Sequence, residues 1–182
     1  MSSESPLGDR AVSDRTFMRE ALAEARLAFA KGEIPVGAVA VHRGQVIGRG
    51  HNEKETTHDP TAHAEMLALR RAAATRGGWR LIDVTLYCTM EPCPMCAGAM
   101  VQARLPRLVY AVDDPKAGAA GSTIDLLQNP FYNHQVQVTR GILATEVQEL
   151  VAAFFAGLRN GSIAHLSESW AQPGLAGNDD PV

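Results

Sequence analysis

Two short stretches restrict this chain more than any others: "TAHAEMLAL" at 61–69 and "MEPCPMCAGAM" at 90–100. The first carries His63 and Glu65, the second Cys93 and Cys96, all among small and apolar residues that read as helix starts. Cys93 and Cys96 lie three apart, so on a helix they share a face. Pro94 suits the first helical position, which makes Cys93 the expected cap. His63 and Glu65 lie two apart, about 200° around a continuous helix, and would point opposite ways. Both can face one cavity only if the helix begins between them, with His63 still extended. Asp59-Pro60 just upstream agrees with a helix start near His63. The chain must therefore fold so that two helix N-termini converge on one point.

Imidazole and thiolate are the common protein ligands of zinc. Three protein ligands leave a fourth position for water, the catalytic arrangement, whereas four close the site. His63, Cys93 and Cys96 supply three, and a thiolate at Cys93 would be stabilised by the positive end of its helix. Each residue has a plainer alternative: a lone C-x-x-C is often a redox pair or half of a structural site. Cys88 is the conceivable fourth ligand, although it lies in a strand-like run and reads more simply as a small core residue. His51, His58 and His134 are further candidate ligands, each more often a loop or surface histidine. H-x-E followed by P-C-x-x-C, however, resembles the known signature of zinc nucleobase deaminases.

The 182 residues are 46% hydrophobic, enough for one domain with a sizeable core. A net charge of -3 argues against a general polyanion binder. A local basic patch remains open at Arg70, Arg71, Arg76 and Arg80, where a solvated helix face is the alternative. Three cysteines with a tight C-x-x-C argue against a disulfide framework and for a reducing compartment. The N-terminus lacks the apolar segment of a signal peptide, and no run approaches a membrane span. The expectation is a cytoplasmic, soluble protein with no membrane association.

Along the chain, residues 1–13 are expected to form a flexible segment, 14–159 the folded domain and 160–182 a disordered tail. Ser13 or Asp14 is expected to cap a helix running to about Lys31. A hairpin follows around Arg43-Gly44, then a loop over "HNEKETTHDP". A helix ends at Gly77-Gly78, and "LIDVTLYCT" is a strand. After the Cys93 helix, "RLVYAV" is a buried strand, "DDPKAGAAGS" a Gly-rich loop and "HQVQVTRGI" a strand. Thr145 is the expected cap of a last helix. Helices alternating with strands after a hairpin predict an α/β protein, three layers α/β/α, with a mixed sheet.

The stretches "EIPVGAV", "HDPTAHAE", "LIDVTLY", "MEPCPMCAGAM", "KAGAAGS" and "NPFYNH" together resemble the bacterial tRNA-specific adenosine deaminases, over roughly residues 17–159. That resemblance implies the cytidine deaminase-like fold with about five strands. It implies one Zn2+ per subunit on His63, Cys93 and Cys96, with Glu65 as general acid and base. It further implies hydrolysis of adenosine to inosine at the tRNA wobble position, of tRNA-Arg above all, by a zinc-activated water. Matching positions are Asn52 for the purine, Asp114 and Lys116 for the anticodon loop, and Phe154, Phe155 and Arg159 on the last helix. The Ala64 backbone, at a helix start, is placed to hydrogen-bond the base. The family works as a homodimer, and Ala97, Gly98, Ala99 and Met100 are residues that would suit a close helix contact. Asp113 and Pro115 depart from the family pattern, as do Ala156 and Gly157. Two alternatives stay open: a deaminase of a free guanine- or cytosine-type base or nucleoside, and a non-catalytic zinc module.

Overall fold

The computed structural model describes the backbone of residues 6–163 and the side chains of residues 13–163. The first helix, α1, spans Pro6–Ala30 and so begins well ahead of Ser13 and Asp14. Neither residue is the cap, and residues 6–13 are helical where an irregular segment was expected. Asp14 has another task. It is 4% exposed and takes both arms of the Arg107 guanidinium at 2.8 and 2.7 Å, while the Tyr87 hydroxyl donates to it at 2.9 Å. The paired carboxylate holds the Arg107 guanidinium above its usual pKa, and burial followed by the Asp14 contact pushes Tyr87 up to about 12. The expected tail beyond residue 163 lies outside the described residues.

The hairpin forms where predicted, from β1 (Gly37–His42) and β2 (Gln45–His51). Its two turn residues, Arg43 and Gly44, have φ of 49° and 76°, the double positive φ of a type I′ turn. Then come a short helix α2 (Lys54–Thr57), inside the segment read as loop, and α3 (Ala64–Arg76), which stops at Gly77 in the left-handed region. Next are β3 (Val84–Met90), α4 (Pro94–Gln102), β4 (Arg107–Val112), β5 (Gln137–Arg140) and α5 (Ala144–Arg159). Leu143, not Thr145, occupies the cap position of α5.

The five strands pair in the order β2-β1-β3-β4-β5. β1 is antiparallel to both of its neighbours, and the β3–β4 and β4–β5 pairs are parallel. The sheet is mixed, as expected, and buried on both faces. Ala38, Ala40, Leu86, Cys88, Leu108 and Tyr110 face one way, with the buried residues of α3 and α4. Val39, Val41, Tyr87, Val109 and Ala111 alternate with them and face α1 and α5.

Strand direction decides where the site lies. Because β1 opposes both β2 and β3, those two run the same way, and β4 runs with β3. All three end at one edge, at His51, Met90 and Val112. From that edge the chain enters the segments leading to α3, to α4 and to the 113–122 loop. This is where open α/β sheets place their ligands. Two glycines draw α3 tight against β2: a Cβ at Gly50 would stand 2.3 Å from the Ala64 carbonyl oxygen, and one at Gly48 2.3 Å from that of Ala68. Ala97 and Met100 are buried against the sheet and are not free for a partner, while Gly98 and Ala99 remain partly exposed.

Candidate active site

His63 precedes α3 with φ -77° and ψ 149°, extended as the H-x-E spacing requires. Cys93 precedes α4 with φ -72° and ψ 172°, and Pro94 follows at the helix start. Neither side chain caps its own helix. They turn instead toward each other and toward Cys96. Cys93 Sγ lies 3.7 Å from His63 Nδ1 and 3.7 Å from Cys96 Sγ, and Cys96 Sγ lies 3.6 Å from His63 Nδ1. A tetrahedral zinc with its usual bond lengths would set sulfur–sulfur separations of about 3.8 Å and sulfur–nitrogen separations of about 3.6 Å. The triangle fits that ion with an open fourth position. These three are the potential metal-holding cluster among the described residues. Cys88 is not part of it: its thiol is fully buried in β3 and donates to the Met90 carbonyl at 3.0 Å.

Glu65 sits one residue inside α3, 3% exposed. Its Oε2 is buried with no hydrogen-bond partner among the described residues. Such an atom is costly unless something in the cavity meets it, which fits a metal-held water or a substrate. Burial pushes its pKa up to about 7, where a carboxyl can both take and give a proton at neutral pH. The thiol of Cys96 and then the imidazole of His63 stabilise the Cys93 thiolate, drawing it down to about 4. In the metal-free site the Cys93 contact and then burial raise the Cys96 thiol, and a cation held there would favour its thiolate. The Cys93 contact raises His63.

Asn52, just past β2, holds the start of α3: its Oδ1 accepts the Ala64 N–H at 3.1 Å. The Ala64 N–H is thus engaged by Asn52. Asp114 is likewise turned inward, its Oδ1 accepting the Lys116 and Ala117 N–H groups at 2.9 and 3.2 Å. Lys116 is exposed beside it. The 113–116 loop and α5 enclose a groove of about 620 Å³, lined by Met90, Asp114, Lys116, Val151 and Phe155 among others. Phe155 is 40% exposed, whereas Phe154 is buried and packs edge-on against Phe29 and Phe155. Phe154 therefore supports its neighbour and cannot itself stack on a ligand. Arg159 is exposed at the end of α5.

The arginine cluster resolves mostly to the solvated-face reading. Arg71 donates to the Arg49 carbonyl at 2.8 Å, Arg76 to Asp83 at 3.1 Å, and Arg80 lies 4.2 Å over the Trp79 ring. Sequence reasoning missed Glu91, whose carboxylate binds the 114–122 loop, and the Asp14–Arg107 pair. A carboxylate set between a buried strand and a proline was the available signal for Glu91. Nothing local marks Asp14, because its partner lies in a distant strand.

Comparison with known proteins agrees with this architecture. The model of the MafB19-like deaminase family matches residues 12–159. A tRNA-specific adenosine deaminase of Bacillus subtilis (strain 168) is 47% identical over 146 residues, covering 80% of this chain and 91% of its own length. A structure solved in studies of A-to-I editing by tRNA:A34 deaminases superposes with a TM-score of 0.72 at 42% identity, covering 74% of this chain and 98% of that one. A guanine deaminase from Nitrosomonas europaea superposes with a TM-score of 0.69 at 25% identity, covering 78% and 84%. The five-stranded mixed sheet between paired helices, with His63, Cys93 and Cys96 at its edge, defines a cytidine deaminase-like fold and a deaminase. Within that class, the chain belongs to the tRNA-specific adenosine deaminase family.

Proposed function

We propose that this protein hydrolyses the 6-amino group of the wobble adenosine in tRNA, tRNA-Arg foremost, giving inosine and ammonia. The observation that carries the chemistry is the His63–Cys93–Cys96 triangle beside the unpartnered carboxylate oxygen of Glu65. Zinc, when held by those three side chains, supplies a water that is acidic enough to react at neutral pH. His63, Cys93 and Cys96 fix that position. Glu65 takes the proton of the water and hands it to N1 of adenine, which makes C6 electrophilic. As the water's oxygen bonds to C6, Glu65 takes the second proton of that same water and carries it to the amine, which leaves as ammonia when the C6–N bond breaks. One buried carboxyl facing the cavity can serve both transfers in turn, because the proton it gains in one step is the one it gives in the next. The closed, buried setting of Glu65 keeps bulk water from competing for those protons.

Substrate recognition follows from the same edge. Asn52, with Oδ1 on Ala64, offers its amide N–H to a purine nitrogen. A wobble base flipped from the anticodon loop reaches the cavity, as chemistry on a base requires. The groove between Lys116 and α5 takes a flanking nucleotide, with Phe155 as the apolar wall and Lys116 and Arg159 near phosphates. The protein acts as a cytoplasmic homodimer that uses the exposed Gly98–Ala99 side of α4, and light scattering at micromolar concentration tests that assembly.

The deciding experiment incubates the zinc-loaded protein with deacylated tRNA, free nucleosides and free bases, and follows each product by mass. Inosine in tRNA supports the proposal. Turnover of guanine alone would favour the other reading, for which the guanine deaminase likeness is the specific observation.

A further inference from the structure

We infer that Glu91 is a positioning residue of this active site: it fixes the RNA-facing 114–122 loop in register with the metal-ligand turn. The inference rests on the tRNA reading above. Glu91 is 2% exposed and stands two residues before Cys93. Its own N–H donates to the Val112 carbonyl at 2.9 Å, tying it to the end of β4. Its carboxylate accepts three backbone N–H groups of the loop. Oε2 takes Asp114 at 2.9 Å, and Oε1 takes Ala120 at 2.9 Å and Ser122 at 3.1 Å. The Ala119 N–H donates to the carbonyl of Pro92 at 2.8 Å, so the loop is bound to two successive residues of one turn.

The loop lies closely over this carboxylate. A Cβ at Gly118 would stand 2.3 Å from Glu91 Oε2 and 2.5 Å from the Asp114 carbonyl oxygen. Only glycine permits the contact. Lys116, one of the side chains that line the groove, is carried by the Asp114 turn that Oε2 anchors. Within four residues, then, Met90 lines the groove, Glu91 holds its far wall and Cys93 points at the metal position. An ionised carboxylate suits this task because it accepts only. A glutamine of the same shape must present its NH2 group to either Asp114 or the Ala120–Ser122 pair, donor against donor, and releases one end of the loop.

Glu91→Gln in the zinc-loaded protein is the test, read by steady-state inosine formation in tRNA, zinc content and thermal melting. We expect KM for tRNA to rise about tenfold to a hundredfold, the scale of a misplaced binding element, with kcat within about threefold and zinc still one per chain. Should the variant not fold, Gly118→Ala strains the same contact from the loop side and should raise KM likewise. In the double variant the second change should add little to the first. Unchanged KM, a fall in kcat alone, loss of zinc, or fully additive effects would each overturn the assignment. If the parent protein makes no inosine in tRNA, the functional reading fails and takes this inference with it. If the parent is active and Glu91→Gln matches it, only the role of Glu91 is wrong.

Discussion

Replacing Glu65 with glutamine should cost activity and, at neutral to alkaline pH, relieve the fold. Glu65 is buried, and its pKa of about 7 is raised from 4.5 chiefly by desolvation. A carboxyl with a raised folded-state pKa holds its proton more tightly in the native than in the unfolded chain. Its contribution is fully present below 4.5 and is lost as the pH rises through about 7. At about 1.4 kcal/mol per pKa unit, the loss approaches 3 kcal/mol by pH 8. Glutamine has no such titration. Chemical denaturation of metal-free protein at pH 4, 6 and 8 should therefore show the parent losing about 3 kcal/mol relative to Glu65→Gln across that range. Fixed differences between the two side chains, such as the packing of an amide, cancel in this comparison. Zinc binding should survive the change, while deamination falls at least about 10²- to 10⁴-fold, the worth of general acid–base help. Parallel stability curves for the two proteins would refute the buried, protonated picture, and activity within a few-fold of the parent would refute the proton-shuttle role.

Three other outcomes follow from the same geometry. Metal analysis should find one zinc per chain, lost in His63→Ala and Cys96→Ala and retained in Cys88→Ala; full zinc in either of the first two contradicts the ligand set. Lys116→Ala should weaken tRNA binding and make the slope of log affinity against log salt shallower by about 0.7, the share of one phosphate on a single strand. An unchanged slope would remove Lys116 from the RNA contact. Asp14→Ala leaves the Arg107 guanidinium buried without its bidentate partner and should destabilise the protein by about 3–5 kcal/mol, with much of that recovered when Arg107→Met is added. A loss under about 1 kcal/mol would mean that the pair behaves like an exposed one.

The parts that sequence reading reached are those where local chemistry admits one answer. Arg43-Gly44 between two β-rich runs predicts its turn, and Pro94 after Cys93 predicts its cap. The start of α1 was misplaced because Ser13 and Asp14 look like caps, and a capping aspartate is indistinguishable in sequence from one whose partner lies in β4. The same holds for Glu91 and Asp114, whose partners are backbone N–H groups that carry no sequence signal. Phe154 and Phe155 are adjacent aromatics with opposite fates, decided by which face α5 turns toward Phe29 of α1. The α5 cap went to Leu143 in the left-handed region because the chain leaves β5 through Gly141 and must turn sharply.

The His63–Cys93–Cys96 cluster was legible for a further reason: it is where the sequence breaks a local rule twice in the same way. A helix start ordinarily places serine, threonine, asparagine or aspartate at the cap, and replacing one with a non-capping residue costs about 1 kcal/mol. Here α3 starts on histidine and α4 on cysteine, and neither side chain makes a capping bond. For α3 the missing function is taken over by Asn52, which reaches across from the end of β2 to the Ala64 N–H. For α4, proline at the first position removes one N–H that would have needed a partner. The local cost is thus offset on both helices by a second residue, leaving His63 Nδ1 and Cys93 Sγ directed at a common point with Cys96. Packing alone has no need of that arrangement. Two caps displaced from their usual work, each with a neighbour doing the work in its place, are what a sheet edge would require if its helix starts were to hold an ion.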